Sequence, residues 1–353
     1  MALNPPSVSV IIPAYRARLT LPHVLRGLST QLGVSDEVIV VVTGPDHEPQ
    51  LRHSYPWLRT IHSARRLSPG QARNLGASAA RADLLVFLDA DAVPAPGWLE
   101  ELLRQLSPET EAVAGSIMNG TPRSEWGSAE YVLEFVEWTP ERIGPLEHAA
   151  GCSLLIRRSS FEAAGGFPED MRAGEDTVFS VPFAQRGTLA FAPGSRVAHM
   201  NRTRSQSVLA NQRRLGRAWV ECSTRVVLPG GSLTAPSLVP LSLVGRLWAI
   251  IRRLPDAGMS PARTLRCSPA ILAGLLAWWW GVCAGSLLRA FQRPVMTVSP
   301  SEYGGAQQQR STSGCAPGFQ SLCGVPGAIT TQSPGPTSAS ASPRRIRPEP
   351  DTK

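Results

Sequence analysis

The hydrophobic positions fall into short β-branched runs separated by amphipathic stretches. Ser7–Pro13 (SVSVIIP) and Glu37–Thr43 (EVIVVVT) are almost wholly apolar, as strands covered on both faces are. Asp83–Asp89 (DLLVFLD) repeats the pattern, and Thr60–Ser63 predicts a short strand between them. Leu21–Leu32, with Leu21, Leu25 and Leu28 on one side, and the Ala-rich Gly70–Ala80 are predicted helices. Strands alternating with helices at this spacing predict an α/β fold built on a doubly wound sheet, whose ligands gather beyond the carboxyl ends of the strands. That rule puts Ala14-Tyr15, Thr43–Asp46 and Asp89–Asp91 around one crevice.

Further along, Trp98–Leu106 predicts a helix, and Glu111–Met118 and Cys152–Arg157 (CSLLIR) predict strands. Ser159–Ala164 and Thr177–Arg186 read as helices, and Leu189–Ala192 and Arg196–His199 as two short strands. Asn119–Leu146, with Trp126, Tyr131, Phe135 and Trp138 among several Glu, suits an acceptor wall or a packed helix, and its pattern assigns neither.

Beyond residue 230 the pattern changes. Ser237–Ile251 is apolar apart from Arg246, and Pro269–Leu288 is an uncharged apolar stretch of the length that crosses a hydrocarbon core. Trp278, Trp279 and Trp280 sit near its middle, whereas a spanning helix carries its tryptophans near its ends. The segment therefore spans, lies in the interface, or pairs with Ser237–Ile251 as a hairpin; a buried helical pair in a soluble protein is the plainer alternative. From Pro294 onward Pro, Ser, Gly and Thr crowd the chain, which cannot bury a core and is expected to be disordered. The expected organisation is a catalytic domain over 1–225, an apolar and basic membrane-associated helical region over 226–293, and a tail over 294–353.

The net charge of +8 is unevenly divided: residues 1–198 carry −5, residues 199–293 carry +11 and the tail +2. A basic, apolar segment suits anionic phospholipid headgroups. No aromatic-interleaved basic run, zinc finger or recognition-helix pattern points to nucleic acid. The six cysteines are scattered with no CxxC pair, which argues against a metal cluster or disulfide framework and for a reducing compartment. The first residues lack the basic, apolar and small-residue regions of a signal peptide, so the catalytic half is expected in the cytoplasm.

Candidate chemistry begins at Asp89-Ala90-Asp91, just past the apolar run Leu84–Leu88. Two carboxylates at this spacing beyond a strand end can turn toward one hard cation, and Mg²⁺ and Mn²⁺ commonly link a carboxylate to substrate phosphates. A bare Asp-x-Asp more often marks a solvated turn; the preceding buried strand is what favours a site. Gly174-Glu175-Asp176 opens a predicted helix, where acids also serve as plain caps. His199 closes Arg196–His199, a position more often structural than ligating.

Together, Pro13-Ala14-Tyr15, the run Gly70-Gln71-Ala72-Arg73-Asn74-Leu75-Gly76, and FLDAD with Pro94 and Gly97-Trp98-Leu99 resemble the catalytic domain of inverting, GT-A-fold glycosyltransferases of family 2. Gly165-Gly166-Phe167-Pro168, Ala173-Gly174-Glu175-Asp176 and Gly187 extend that resemblance over roughly residues 7–200 in the family's order. It implies a GT-A fold, a doubly wound, Rossmann-like mixed sheet, acting on a nucleotide-sugar donor with Mn²⁺ or Mg²⁺. Pro13, Ala14 and Tyr15 would line the base pocket, Tyr15 stacking on the base, and Asp46 would stand in for the acidic run that often ends the family's second strand. Arg73 and Asn74 would face the nucleotide or its phosphates. Asp89 and Ala90 would lie near the ribose and metal, Asp91 and His199 would hold the metal, and Asp176 would be the general base with Glu175 beside it.

Processive members carry Gln-x-x-Arg-Trp, and Gln212-Arg213-Arg214-Leu215-Gly216-Arg217 lacks its Arg-Trp. The implied reaction is therefore the addition of one sugar to a lipid-linked or cell-envelope glycan. Arg213, Arg214 and Arg217 either contact the donor pyrophosphate or form a solvated or lipid-facing surface. The expected location is the cytoplasmic face of the membrane, or the cytoplasm if the C-terminal helices are buried. A non-catalytic sugar-nucleotide-binding scaffold is the alternative, and the intact set Asp89, Asp91, Asp176 and His199 argues against it.

Overall fold

The computed structural model describes residues 7–45 and 54–291; Asp46 and the tail from 294 lie outside them. Four parallel strands come first: β1 (Ser9–Ala14), β2 (Glu37–Thr43), β3 (Leu58–Ser63) and β4 (Leu84–Leu88). Helix α1 (Leu21–Ser29) buries Leu21, Val24, Leu25 and Leu28. Helix α2 (Pro69–Ala79) starts at a reciprocal cap, in which Ser68 accepts from the Gln71 N–H and the Gln71 side chain accepts from the Ser68 N–H. Pro13 sits within β1 without disrupting it, because the β1–β4 ladder ends at Ile11 opposite Phe87 and its missing N–H is not needed there.

The chain continues through β5 (Ala92–Pro94), α3 (Trp98–Arg104), β6 (Ala112–Asn119), α4 (Glu125–Phe135), β7 (Ser153–Arg157) and α5 (Arg158–Ala163). It ends with α6 (Glu175–Arg186), β8 (Leu189–His199), α7 (Ser205–Arg225), α8 (Val239–Arg253) and α9 (Pro261–Phe291). The eight strands form one mixed sheet in the order β3-β2-β1-β4-β7-β6-β8-β5. Strand direction reverses where antiparallel β7 joins β4, with Leu88 opposite Ser153. The carboxyl end of β4 and the entry to β7 therefore share one edge, and the crevice opens there.

The two strands expected over 189–199 are a single strand. Its pairing with β6 jumps from Gly115 opposite Ala192 to Ser116 opposite Arg196, which extrudes Pro193-Gly194-Ser195 as a bulge. The Ser116 hydroxyl donates to the Pro193 carbonyl at 2.8 Å and stabilises it. The unassigned stretch from Asn119 holds α4, whose residues Ala129, Tyr131, Val132 and Leu133 are buried while Glu130, unusually, is buried with them.

At the opposite edge Glu37 knits the first strands together. Its carboxylate accepts from Ser9 Oγ at 2.7 Å, from the Arg81 N–H at 2.6 Å and from Arg59 Nη1 at 2.5 Å. Burial pushes the Glu37 pKa up, but these donors outweigh it and hold the group below the ordinary carboxylate range.

The apolar stretch predicted over 269–288 belongs to the longer helix α9, which is long and apolar enough to cross a membrane. Its inner face, including Ile271, Leu275, Trp278 and Val282, is buried in the same core as α4. Glycines make the contact with α7 close. A Cβ at Gly281 would overlap the Arg213 carbonyl oxygen, and one at Gly216 would overlap that of Trp278. The three adjacent tryptophans diverge because helical residues turn about 100° each. Trp278 points inward, Trp279 donates to the Val239 carbonyl at 3.1 Å and joins α9 to α8, and Trp280 is 63% exposed.

Candidate active site

A cavity of about 420 Å³ lies at the shared edge of β4 and β7. Pro13, Ala14 and Tyr15 form one wall, and Asp89, Ala90 and Asp91 form its floor. Glu175, Asp176 and His199 close the far side, so the crevice gathers residues from β1, β4, α6 and β8. Asn74 is not part of it. Its side chain donates to the Phe167 carbonyl at 2.9 Å and to Glu169 at 3.0 Å and accepts from the Phe167 N–H, clamping the 165–168 turn instead of meeting a ligand.

Arg73 lines the same cavity, between two acids. The guanidinium is 3% exposed and donates through Nη2 to Asp89 at 2.7 Å and through Nη1 to Glu175 at 2.5 Å. Burial opposes its charge, yet Asp89 and Glu175 raise its pKa, so it stays a cation. Its packing leaves no room beyond Gly151, where any Cβ would press on the guanidinium at 2.8 Å. Arg73 therefore ties the end of β4 to the start of α6.

Asp176 stands in the first turn of α6, behind Gly174, whose φ of 77° is left-handed and suits glycine. One carboxylate oxygen accepts the Gly151 N–H at 2.9 Å and the other the Thr177 N–H at 2.8 Å. These bonds fix its orientation and leave each oxygen with spare acceptor capacity.

Strand β5 explains why Asp91 meets a histidine so distant in sequence. Ala92 pairs with His199, and the Met200 N–H donates to the Asp91 carbonyl at 2.8 Å. His199 Nε2 then lies 3.4 Å from Asp91 Oδ1, while its ring packs on Phe135 at 4.3 Å between centroids. Burial raises the Asp91 pKa; His199 pulls against that shift and Asp89 adds to it.

The hydrogen-bond chain behind His199 sets its tautomer. The Thr121 N–H donates to Asn119 Oδ1 at 2.9 Å, which requires the Asn201 amide to present Nδ2 to that same oxygen, at 3.1 Å. Asn201 Oδ1 must then face His199 Nδ1, 3.0 Å away, and accept its proton. Burial opposes a charge on His199, yet Asp91, Glu134 and Asp89 raise its pKa; in the neutral ring the lone pair falls on Nε2, beside Asp91.

Among the described residues no three His, Cys, Asp or Glu side chains converge as a complete metal cage. Asp91 and His199 supply two donors, and Asp89 is drawn aside by Arg73. An incomplete protein set suits Mg²⁺ or Mn²⁺, which fill their octahedron with water and substrate phosphate oxygens. The donor set fits such a cation on those terms.

Sequence reasoning missed several wall residues. Arg66 lies over the Tyr15 ring with its guanidinium carbon 4.2 Å from the centroid, occupying one face of the ring. Arg202 also lines the cavity; of the three arginines that the sequence offered to the pyrophosphate or to a solvated surface, Arg214 lines it too, whereas Arg213 and Arg217 line only a separate outer cleft. Glu134 lines it too, its pKa pushed up to about 7 by burial and by neighbouring Glu130. Arg65-Arg66 just before the Ser68 cap and Asn201 just beyond His199 were the available signals. Cys152 is buried in the same wall, and burial pushes its thiol well above the ordinary range, leaving it uncharged and a poor nucleophile.

Residues 9–165 match the family model described as Glycosyl transferase family 2. The pre-mycofactocin glycosyltransferase of Mycobacterium tuberculosis is 27% identical over 292 residues, covering 76% of this chain and 60% of that protein. The chain thus spans less than two thirds of that relative's length. Mouse polypeptide N-acetylgalactosaminyltransferase 12 is 26% identical over 259 residues, 62% of this chain and 44% of its own. Among solved structures, a mannosyltransferase from Pyrobaculum calidifontis in complex with GDP-Man and Mn²⁺ superposes with a TM-score of 0.53 at 20% identity, covering 81% of this chain and 87% of that one. This likeness shows a shared GT-A fold.

Proposed function

The chain carries a glycosyl transferase family 2 domain over residues 9–165, and from that premise we propose that it moves one sugar from a nucleotide-sugar donor to a hydroxyl of a lipid-linked or cell-envelope glycan, with inversion. The observation that carries the reading is that one cavity gathers Asp91 and His199, 3.4 Å apart, together with Asp176, whose carboxylate is oriented by two backbone N–H groups.

In the proposed reaction the acceptor hydroxyl oxygen bonds to the anomeric carbon as the bond from that carbon to the diphosphate breaks. The hydroxyl proton passes to the Asp176 carboxylate, and the bonding electron pair leaves with the nucleoside diphosphate. The N–H groups of Gly151 and Thr177 hold Asp176 in position for that transfer. Arg66, Arg202 and Arg214 supply positive charge around the diphosphate. A divalent cation held by Asp91 and His199 would neutralise charge developing on the leaving diphosphate.

The C-terminal helices support a seat on a membrane surface in place of a span. Leu241, Val244, Trp248 and Ile251 of α8 and Leu272, Leu276, Trp280 and Leu287 of α9 are each more than half exposed. Apolar helix faces flanked by arginines bind the boundary of anionic bilayers. The four described cysteines are free, in keeping with a reducing compartment and a cytoplasmic-facing membrane surface.

The test is a screen of UDP-, GDP- and dTDP-sugars with Mn²⁺, reading released nucleotide, alongside an Asp176→Asn variant. The variant should keep nucleotide binding and lose transfer by roughly 10²–10⁴-fold. Turnover equal to the unaltered protein would remove Asp176 as the base.

A further inference from the structure

A second cavity of about 420 Å³ lies behind the catalytic one, built largely from helices beyond the family match. The two share Gly174 and Leu215 as lining residues, and the second also reaches Thr177, so Asp176 stands on the partition between them. Trp138, Trp219, Trp248 and Trp278 line it, four of the nine tryptophans in the chain. Trp219 and Trp278 meet at 5.4 Å between ring centroids, forming a continuous aromatic wall.

The charge at this cavity is unbalanced. Arg246, Arg252 and Arg253 of α8 line it against Glu137 and Glu147. Arg246 is occupied: it pairs with Glu137 at 3.5 Å and donates to the Leu133 carbonyl. Arg252 and Arg253 make no ion pair or hydrogen bond among the described residues. The crowding of positive charge reaches Arg142, whose pKa is lowered by burial and then by Arg253.

We infer that this cavity seats the acceptor and selects an anionic amphiphile, a molecule with an apolar or aromatic body and an acidic group. The inference rests on the transferase reading above and specifies its acceptor class. The tryptophans take up the apolar body, and Arg252 and Arg253 receive the anion. Gly174 and Leu215, which line both cavities, set this seat beside the cavity that holds Asp176. The exposed faces of α8 and α9 lie on the same helices, so an amphiphile held at a lipid surface meets this cavity.

The experiment is a titration of the full chain with octyl phosphate, octyl glucoside and inorganic phosphate, followed by calorimetry and tryptophan emission. Octyl phosphate should bind with a blue-shifted emission and at least about tenfold more tightly than either of the others. An Arg252→Gln, Arg253→Gln double variant should lose about tenfold in octyl phosphate affinity with unchanged thermal melting. If that variant melts abnormally, Trp248→Ala, at a 63% exposed position, should weaken octyl phosphate without changing inorganic phosphate binding. Octyl phosphate no tighter than octyl glucoside, inorganic phosphate as tight as octyl phosphate, or variants that bind like the unaltered chain would each overturn the assignment. Calorimetry with nucleoside diphosphate and Mn²⁺ separates the two readings: silence there with octyl phosphate binding intact sinks the transferase reading and leaves the cavity's ligand class standing.

Discussion

Arg73 Nη1 lies 2.5 Å from Glu175 Oε1, although 102 residues separate them, and its Nη2 holds Asp89 at 2.7 Å. One buried cation thus sets the distance between Asp89, beyond β4, and the helix that bears Asp176. Arg73→Ala leaves two carboxylates facing each other without a counter-charge and should lower stability by about 3–5 kcal/mol. Arg73→Lys cannot reach both acids in fork geometry and should fall between the two. Urea denaturation measures both, and an unaltered midpoint for Arg73→Ala would show that the bridge contributes nothing.

Asn201 dictates which His199 nitrogen carries the proton. Asn201→Leu removes the acceptor at Nδ1 and frees the tautomer, so Mn²⁺ affinity should fall roughly 10–100-fold. Paramagnetic resonance of Mn²⁺ with nucleoside diphosphate reads this without turnover. An affinity equal to that of the unaltered chain would separate Asn201 from the metal.

Glu37 makes stability depend on pH in a definite direction. Its folded pKa is depressed, so its contribution is present above its ordinary value of 4.5 and is lost as pH falls through the lower folded value. Glu37→Gln should lower stability at pH 7 by about 1–3 kcal/mol, since Ser9 and the Arg81 N–H lose a charged acceptor. The gap between the two proteins should narrow below pH 4.5 in melts taken at successive pH values; a gap constant across that range would contradict the assignment.

Gly281 distinguishes a docked α9 from a spanning one. Gly281→Val drives a branched side chain into the Arg213 backbone and should cost about 1–3 kcal/mol in the catalytic body itself. On the proposed function nucleotide binding should weaken as well, because α7 carries Arg214 into the cavity that holds Asp91 and Asp176. A helix that left the catalytic domain for the bilayer would tolerate the change, and melting in detergent-free buffer decides the matter.

The chain order of apolar runs, the Asp89-Ala90-Asp91 turn and the acids opening α6 were legible in the sequence because each is local: strand burial, turn position and helix start depend on near neighbours. The sequence by itself thus determined the α/β layering and the candidates for both halves of the site. Partnership was decided by tertiary structure. Arg73 and Asn74 share one motif, yet one bridges two acids and the other clamps a turn, since helical neighbours face different directions. His199 meets Asp91 because the three-residue β5 pairs with a strand more than 100 residues away, and α9 is held on the catalytic body by glycine contacts that hydropathy does not record. Apolar content reports how much a segment avoids water; only the packed surfaces decide whether protein or lipid covers it.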